Sequence, residues 1–113
     1  MKKIIKEIKS YKLLEEDWDG YGGEAPLEEV VDSVINFLGT LNRIPSPKPM
    51  LSGTGKVGCY WETNEYYIQI VFAKKDIYSF YVSKKDDDTY YGDDDLHITD
   101  FSGSKLEKIL QDL

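Results

Sequence analysis

The chain has 113 residues, 41% of them apolar, and its nine Tyr, four Phe and two Trp supply enough burial for one core, so we expect a single domain over 1–113. The net charge of −7 argues against direct binding to nucleic acid, whose phosphates need a basic face. No stretch approaches the roughly 20 apolar residues of a membrane span. The one cysteine excludes an internal disulfide, and together these features favour a cytoplasmic protein without membrane contact.

The first predicted element is an amphipathic helix over residues 3–16. Its apolar side chains recur at helical spacing and form one face, made of Ile4, Ile8, Tyr11 and Leu14. Lysines near its start and acidic residues near its end oppose the helix dipole, so we expect this helix to depend on tertiary packing. We interpret the lysines as a solvated face, with an anion or membrane contact as the alternative.

The segment from Asp17 to Pro26 is the most distinctive in the chain. Three of the four positions from 20 to 23 are glycine, which lets the backbone adopt positive φ at little cost. We expect Trp18 to be largely buried in this connection between two helices, and Pro26 to preset the first turn of the second helix. The signature of the segment is Trp18, Asp19, Gly20, Tyr21, Gly22 and Pro26, with Trp61 later in the chain.

The same segment partly matches a calcium-binding loop. Asp17, Asp19, Gly22 and Glu28 fall at positions one, three, six and twelve of an EF-hand count. Tyr21, however, occupies the fifth position, where an oxygen donor belongs. We therefore expect the aspartates to bond turn amides, and we expect neither a metal nor a cofactor. Calcium or small-ligand binding by this loop stays open as the alternative.

A second helix is predicted over 26–41 from an apolar stripe of the helical period, followed by a proline-rich extended linker over 44–49. Met50 and Leu51 are candidates for an edge strand. Three strands then follow over 56–62, 66–73 and 77–83, joined by connections of hairpin length. The middle strand is apolar on both faces, which places it centrally in the sheet.

Catalytic residues are not evident in the sequence. The one histidine, His97, lies between two apolar residues and is interpreted as a surface or strand-edge side chain. Cys59 lies in an apolar strand pattern, which is typical of a buried structural thiol. No nucleophile, base and acid can be combined from these residues into a recognisable arrangement, so we predict that the protein is not an enzyme.

Two Asp triplets bracket a tyrosine pair near the C-terminus. Like charges at this density favour an exposed loop or a protruding hairpin over 84–95, followed by a short strand over 96–99. A capping box from Ser104 to Glu107 then opens a final helix. The predicted partner-binding residues are Asp86, Asp87, Asp88, Tyr90, Tyr91, Asp93, Asp94 and Asp95. Carboxylates and tyrosines together suit a protein partner with a basic surface.

Other tyrosines extend this hypothesis. Several of them recur along the predicted strands and can form an exposed stripe on the sheet: Tyr60, Tyr67, Tyr78 and Tyr81, with Tyr90 and Tyr91. A tyrosine brings a rigid contact area with a polar tip, which is why this residue is enriched at interfaces. A sheet face that no helix covers would therefore be a docking surface.

The Trp-Asp-Gly-Tyr-Gly loop, Ala25-Pro26, Phe37-Leu38, the linker prolines and Trp61 together resemble a group of small bacterial and mobile-element proteins. The resemblance covers residues 12–83, with the loop as its more specific part. It implies a stable α+β unit and no assigned activity. The acidic segment and the last helix lie outside the shared pattern.

These patterns predict an α+β fold. Its sheet is an antiparallel meander of three to five strands, with two N-terminal helices packed on one face and a short C-terminal helix. The predicted function is a non-enzymatic, acidic protein-binding module of the inhibitor, antitoxin or phage and mobile-element counter-defence kind. The alternative is a small-ligand or calcium-binding protein that uses the loop from Asp17 to Gly23. The oligomeric state is left open.

Overall fold

Three helices and five strands are present in the computed structural model, which describes residues 1–86 and 88–113. The helices are α1 (Lys2–Ser10), α2 (Glu28–Thr40) and α3 (Lys105–Gln111), with 3-10 turns at Tyr11–Leu13 and Ile98–Asp100. The strands are β1 (Lys48–Leu51), β2 (Val57–Glu62), β3 (Tyr66–Lys74), β4 (Ile77–Lys84) and β5 (Thr89–His97). No helix in this part of the chain is long and apolar enough to cross a membrane.

The sheet is one antiparallel meander in the order β1-β2-β3-β4-β5, so the α+β prediction is confirmed and β3 is central, as its two apolar faces indicate. Met50 and Leu51 lie in β1, at one edge of the sheet. The opposite edge is β5.

The helices cover only one side of this sheet. Side chains at alternate strand positions, such as Ile68, Ile70 and Phe72 of β3, point into one core together with Ile8 of α1 and Leu110 of α3. Both N-terminal helices therefore pack on one face, as predicted, and α3 adds to the same core. The other side of the sheet carries the alternate strand residues, and we call it the open face.

Aromatic rings fill the middle of the core. The ring of Phe37 on α2 lies 5.9 Å from that of Phe72 and meets Phe101 edge to face at 4.9 Å, between ring centroids. Cys59 is buried on the same side of the sheet, as predicted, and burial raises the pKa of its thiol. Trp61 is also buried there, and its indole Nε1 donates to the Pro45 carbonyl at 2.7 Å. This bond fixes the linker against the sheet.

The first helix is shorter than the predicted 3–16. α1 ends at Ser10, whose hydroxyl donates back to the Glu7 carbonyl, and Leu14 is already extended. A serine that bonds its own helix backbone weakens the last turn, and the acidic residues that follow oppose the helix dipole. A 2.6 Å ion pair between Lys12 and Asp32 joins the 3-10 turn to α2.

The prediction that Pro26 presets the first turn of the second helix is also wrong. α2 begins at Glu28, because Leu27 is extended (ψ 141°) and serves as the N-cap. Pro26 is buried two residues before the helix. Its fixed φ suits the extended segment that leaves the glycine loop.

Of the two predicted alternatives for 84–95, an exposed loop or a protruding hairpin, the structure shows the hairpin, formed by β4 and β5. β5 runs from Thr89 to His97 and pairs with β4, and residues 98–100 form a 3-10 turn instead of part of a last strand. At a sheet edge the charged side chains remain in water, so their repulsion does not prevent strand formation. Asp87 lies outside the described residues.

The start of the last helix confirms the capping prediction. The Ser104 hydroxyl accepts a hydrogen bond from the Glu107 amide at 3.2 Å. The Glu107 carboxylate reaches back to the amide of Gly103 at 3.0 Å, one residue earlier than in the usual capping box.

Candidate functional site

A row of tyrosines crosses the open face of the sheet. Ring centroids are 6.0 Å apart between Tyr60 and Tyr67, 6.4 Å between Tyr67 and Tyr81, and 6.3 Å between Tyr81 and Tyr90. We call these four residues the tyrosine ladder. They lie on β2, β3, β4 and β5 respectively, so a single aromatic surface spans four strands.

The strand register explains the ladder. Tyr60 and Tyr81 both lie opposite Gln69, one on each side of it, while Tyr67 and Tyr90 both lie opposite Ser83. Directly paired residues of antiparallel strands point to the same face. The tyrosines therefore alternate between two neighbouring rows of the sheet and contact each other diagonally.

Exposure increases along the ladder towards β5. Tyr60 and Tyr67 are partly buried, whereas Tyr81 is 39% and Tyr90 is 72% exposed. Burial, and then the proximity of Tyr60, raises the pKa of Tyr67, whose hydroxyl donates to Gln69 at 3.1 Å. The rings next to the acidic strand are thus the ones most available to a partner.

Beside the ladder the open face is hollow. A depression of about 790 Å³ lies between β1 and β5 and is lined by Met50, Gln69, Ser79, Tyr81, Asp94 and Asp95, among others. Gly92 also lines it and lies directly opposite Tyr81, so no β5 side chain covers the ring at that position. A Cβ at Gly92 would collide with the Phe80 carbonyl, which explains the glycine structurally.

A β-bulge places two consecutive aspartates at this depression. Tyr78 pairs with Leu96 and Phe80 with Asp93, so the single residue Ser79 faces both Asp94 and Asp95. Asp95 adopts a left-handed conformation (φ 56°), and its amide donates to the Ser79 hydroxyl at 3.2 Å. In a regular strand neighbouring side chains point to opposite faces, but a bulge can redirect one of them.

The carboxylates at this end of β5 are not neutralised. The ion pairs of residues 1–86 and 88–113 are Lys12 with Asp32 and Lys85 with Glu62 at 3.2 Å, and neither involves Asp93, Asp94 or Asp95. The Asp93 carboxylate accepts a hydrogen bond from the neighbouring Asp94 amide at 2.9 Å. Lys56 lines the same depression without forming an ion pair to these aspartates, so this end of the open face carries an excess of negative charge.

The predicted partner-binding residues do not form one cluster. Asp86 and Asp88 lie in the turn between β4 and β5, whereas Asp94 is about 20 Å further along the strand at roughly 3.3 Å per residue. Tyr90 points to the open face, but Tyr91 faces the other side, where it meets Phe80 edge to face at 6.3 Å.

Tyr91 is covered rather than available for binding. The Lys105 ammonium lies 4.3 Å from the centroid of its ring. Its hydroxyl is buried without a hydrogen-bond partner among the described residues, and burial raises its pKa, with a smaller contribution from Tyr66. Tyr78, another member of the predicted stripe, is also on the helix side and is buried.

The glycine loop is held by its own hydrogen bonds. The Asp19 carboxylate accepts from the amides of Tyr21 and Gly23, both at 2.8 Å, and these two bonds lower its pKa. The Asp17 carboxylate accepts from the Gly22 amide at 2.6 Å. The expectation that both aspartates bond turn amides is confirmed. Gly20 and Gly22 have positive φ, as the sequence indicates.

The aromatic residues of this loop do not plug the core. Trp18 is partly buried but is not among the side chains that pack against the core, so it does not fill the predicted place between the two helices and the sheet; its Nε1 donates within the loop, to the Glu24 carbonyl at 2.8 Å. Tyr21 is 93% exposed. The loop is ordered by backbone hydrogen bonds instead, and a 450 Å³ depression beside it is lined by residues such as Glu16, Ala25 and Leu27 rather than by its aromatic side chains.

Comparison with protein-family models, with curated proteins and with solved structures gave no match. The resemblance to small bacterial and mobile-element proteins therefore stays a prediction.

The remaining candidate groups for chemistry are dispersed. His97 is exposed, and its Nδ1 caps the 3-10 turn by accepting from the Thr99 amide at 3.2 Å. Cys59 is buried on the helix side of the sheet. Among the described residues, no group of three or more His, Cys, Asp or Glu side chains is arranged to hold a metal ion.

The depression on the open face was not predicted from the sequence. Part of its polar lining comes from Gln69 and Ser79, which are unremarkable in the sequence and come together only through strand register. The double aspartate at the bulge depends on a register shift that periodicity does not indicate. Alternation along β3 and β4 was the available signal, because it assigns Gln69, Ser79 and Tyr81 to a common face.

Proposed function

We propose that the chain is a non-enzymatic protein-binding module that docks a partner with a basic surface on its open face. The observation that carries this proposal is the tyrosine ladder: four neighbouring rings on one uncovered sheet face. Aromatic side chains, tyrosine among them, are enriched in interface cores and dominate binding energy when a partner excludes water from them.

The tyrosine ladder is also held rigidly by the sheet. Each of its rings projects from a paired strand of the five-stranded sheet, and the Tyr67 hydroxyl is held by Gln69. Binding residues on strands lose little conformational freedom when a partner docks, so less of the interaction energy is spent on ordering them.

Charge supports the choice of partner. The carboxylates of Asp93, Asp94 and Asp95 form no ion pair and line the depression together with Tyr81 of the ladder, and the chain as a whole carries −7. Such a surface attracts a basic partner during encounter and disfavours acidic ones. An inhibitor, an antitoxin or a phage and mobile-element counter-defence protein would work in this way. We place it in the cytoplasm, because a single free, buried cysteine suits a reducing compartment.

The glycine loop supports the calcium or small-ligand function less well. The Asp17 and Asp19 carboxylates already accept backbone amides, and Tyr21 points into solvent. The fifth position of the loop, where calcium needs an oxygen ligand, holds this exposed tyrosine instead.

Affinity capture from host lysate tests the proposal with two matched double variants. Tyr81→Ser with Tyr90→Ser removes the exposed end of the ladder. Leu13→Ser with Tyr21→Ser removes two exposed side chains elsewhere, 83% and 93% exposed. We expect the ladder variant to lose specific proteins that the wild type and the control variant both retain.

The captured proteins should also carry basic surfaces, and their capture should weaken with salt because exposed charges are screened. If the control variant loses the same proteins as the ladder variant, or if neither loses any, the open face is not the docking surface.

A further inference from the structure

We propose that the depression on the open face is a socket for an arginine side chain that projects from an extended segment of the partner. This inference rests on the proposed function and names the chemical group that the docking surface binds. The occupant is a basic segment of the partner, because the depression combines an aromatic ring with three aspartates, Asp93, Asp94 and Asp95, against one lysine, Lys56, that forms no ion pair with them.

The ring of this socket is Tyr81. It stacks on Tyr90 at an interplanar angle of 29°, and it is tilted by 57° against Tyr67. Towards the depression, however, the opposing residue on β5 is Gly92, which has no side chain. Tyr81 lines the depression and is 39% exposed, so part of its side chain is accessible to a ligand there. A guanidinium group can stack on an aromatic ring in such a position.

The acceptors of the socket are Asp94 and Asp95. The bulge opposes both of them to Ser79, and both line the depression. The Ser79 hydroxyl already accepts from the Asp95 amide at 3.2 Å, and Gln69 already accepts from Tyr67 at 3.1 Å. The aspartate carboxylates are therefore the strong acceptors left for a ligand.

Arginine fits this arrangement better than lysine. Its guanidinium is planar, stacks on aromatic rings and presents several N–H donors in a fork, which can reach two carboxylates together. The lysine ammonium is a compact and strongly hydrated charge that gains little from stacking. Neighbouring carboxylates disfavour an anionic ligand.

The size of the depression points to a segment rather than to a free amino acid. Its volume of about 790 Å³ exceeds what one side chain needs, and it extends across the sheet from Met50 on β1 to the aspartates on β5. An extended partner segment that crosses the strands would place one arginine beside Tyr81. The residues on either side of this arginine would then contact the remainder of the open face. A second copy of this acidic chain is disfavoured, because its own β5 would bring like charges together.

The decisive experiment compares two pairs of substitutions that change the net charge equally. Asp94→Asn with Asp95→Asn neutralises the socket, and Asp86→Asn with Asp88→Asn neutralises the turn at the other end of β5. Each pair contains one residue with a left-handed backbone, Asp95 (φ 56°) or Asp88 (φ 56°), and asparagine tolerates that conformation. Both variants should therefore fold.

The probes are fluorescein-labelled octa-arginine and octa-lysine, with octa-citrulline as an uncharged analogue of the arginine peptide. Fluorescence anisotropy gives the affinities at low salt. We expect the socket variant to lose octa-arginine affinity on the order of tenfold, and the turn variant to lose much less. Tyr81→Ser should weaken octa-arginine more than octa-lysine, and amide NMR shifts in the wild type should centre on Ser79, Tyr81 and Gly92.

Three results would overturn the socket. These are equal losses in the two charge-matched variants, wild-type affinity for octa-lysine equal to that for octa-arginine, or amide shifts centred away from the depression. If partner capture depends on Tyr81 and Tyr90 but survives the Asp94 and Asp95 substitutions, the open face is the docking surface and the proposal of an arginine socket is wrong. If octa-arginine binds the depression while capture is indifferent to the ladder, the proposed function falls instead.

Discussion

Two tyrosines three residues apart on β4 should differ sharply in their contribution to stability. Tyr78 is 2% exposed on the helix side, with Phe72 and Phe101 centroids 5.9 and 6.4 Å away. Replacing a buried aromatic side chain by alanine typically costs about 3–5 kcal/mol, because contacts are lost and a cavity remains. We expect Tyr78→Ala to cost an amount in that range.

Tyr81→Ala should cost far less. This side chain is 39% exposed, and its neighbours are two rings of the ladder, Tyr67 and Tyr90. Cross-strand pairs contribute about 0.2–1 kcal/mol each, so two of them amount to about 0.4–2 kcal/mol. A loss of that size leaves a typical domain of 5–15 kcal/mol folded.

Equilibrium urea unfolding followed by far-UV circular dichroism measures both variants against the wild type. The expected result is a fall in the free energy of unfolding that is at least about 1 kcal/mol larger for Tyr78→Ala. Equal losses of unfolding free energy in the two variants would mean that Tyr81 is as deeply packed as Tyr78 and that the sheet has no open face.

Three further predictions concern other parts of the molecule. The Tyr21 amide and a second loop amide lower the pKa of Asp19. The stabilisation that the Asp19 carboxylate provides should therefore be complete above its unfolded-state pKa, near 3.8, and should vanish as the pH falls through the lower folded-state pKa. Urea unfolding across acidic pH should show this dependence, and Asp19→Asn should remove it. Ser33→Ala should cost about 1–3 kcal/mol in urea unfolding, because the Asp76 amide donates to this buried hydroxyl at 2.9 Å and would lose its acceptor; a change under about 0.5 kcal/mol would contradict this. Cys59 should react with a thiol reagent only after unfolding, because burial raises its pKa, and fast labelling of the native protein would show an accessible thiol.

The elements with strong periodicity were predictable. The stripe of α2 and the alternation of β2, β3 and β4 follow from residues that must be buried, and the two apolar faces of β3 place it in the centre of the sheet. The Ser104 cap and the positive φ of the loop glycines were equally readable, since each rests on a local rule.

The candidate site was only partly predictable. The tyrosines were visible in the sequence, but their division between two faces depends on strand register, which separates Tyr81 and Tyr90 from Tyr78 and Tyr91. The density of aspartates left a loop and a hairpin open, because charge repulsion alone does not show whether an exposed segment pairs with a strand. The location of Trp18 was not predictable, because side-chain size indicates burial but not where it occurs, and its hydrogen bond to Glu24 keeps it within the loop rather than in the core.

Site-specific photo-crosslinking in host cells tests the central claim most directly. A benzophenone amino acid replaces either Tyr90, on the open face, or Tyr21, which is more exposed but lies on the glycine loop. We expect a covalent adduct with a basic protein from position 90, absent from position 21 and suppressed when Tyr81→Ser is added. Adducts of equal yield from both positions, or an adduct at position 90 that is indifferent to Tyr81, would contradict it.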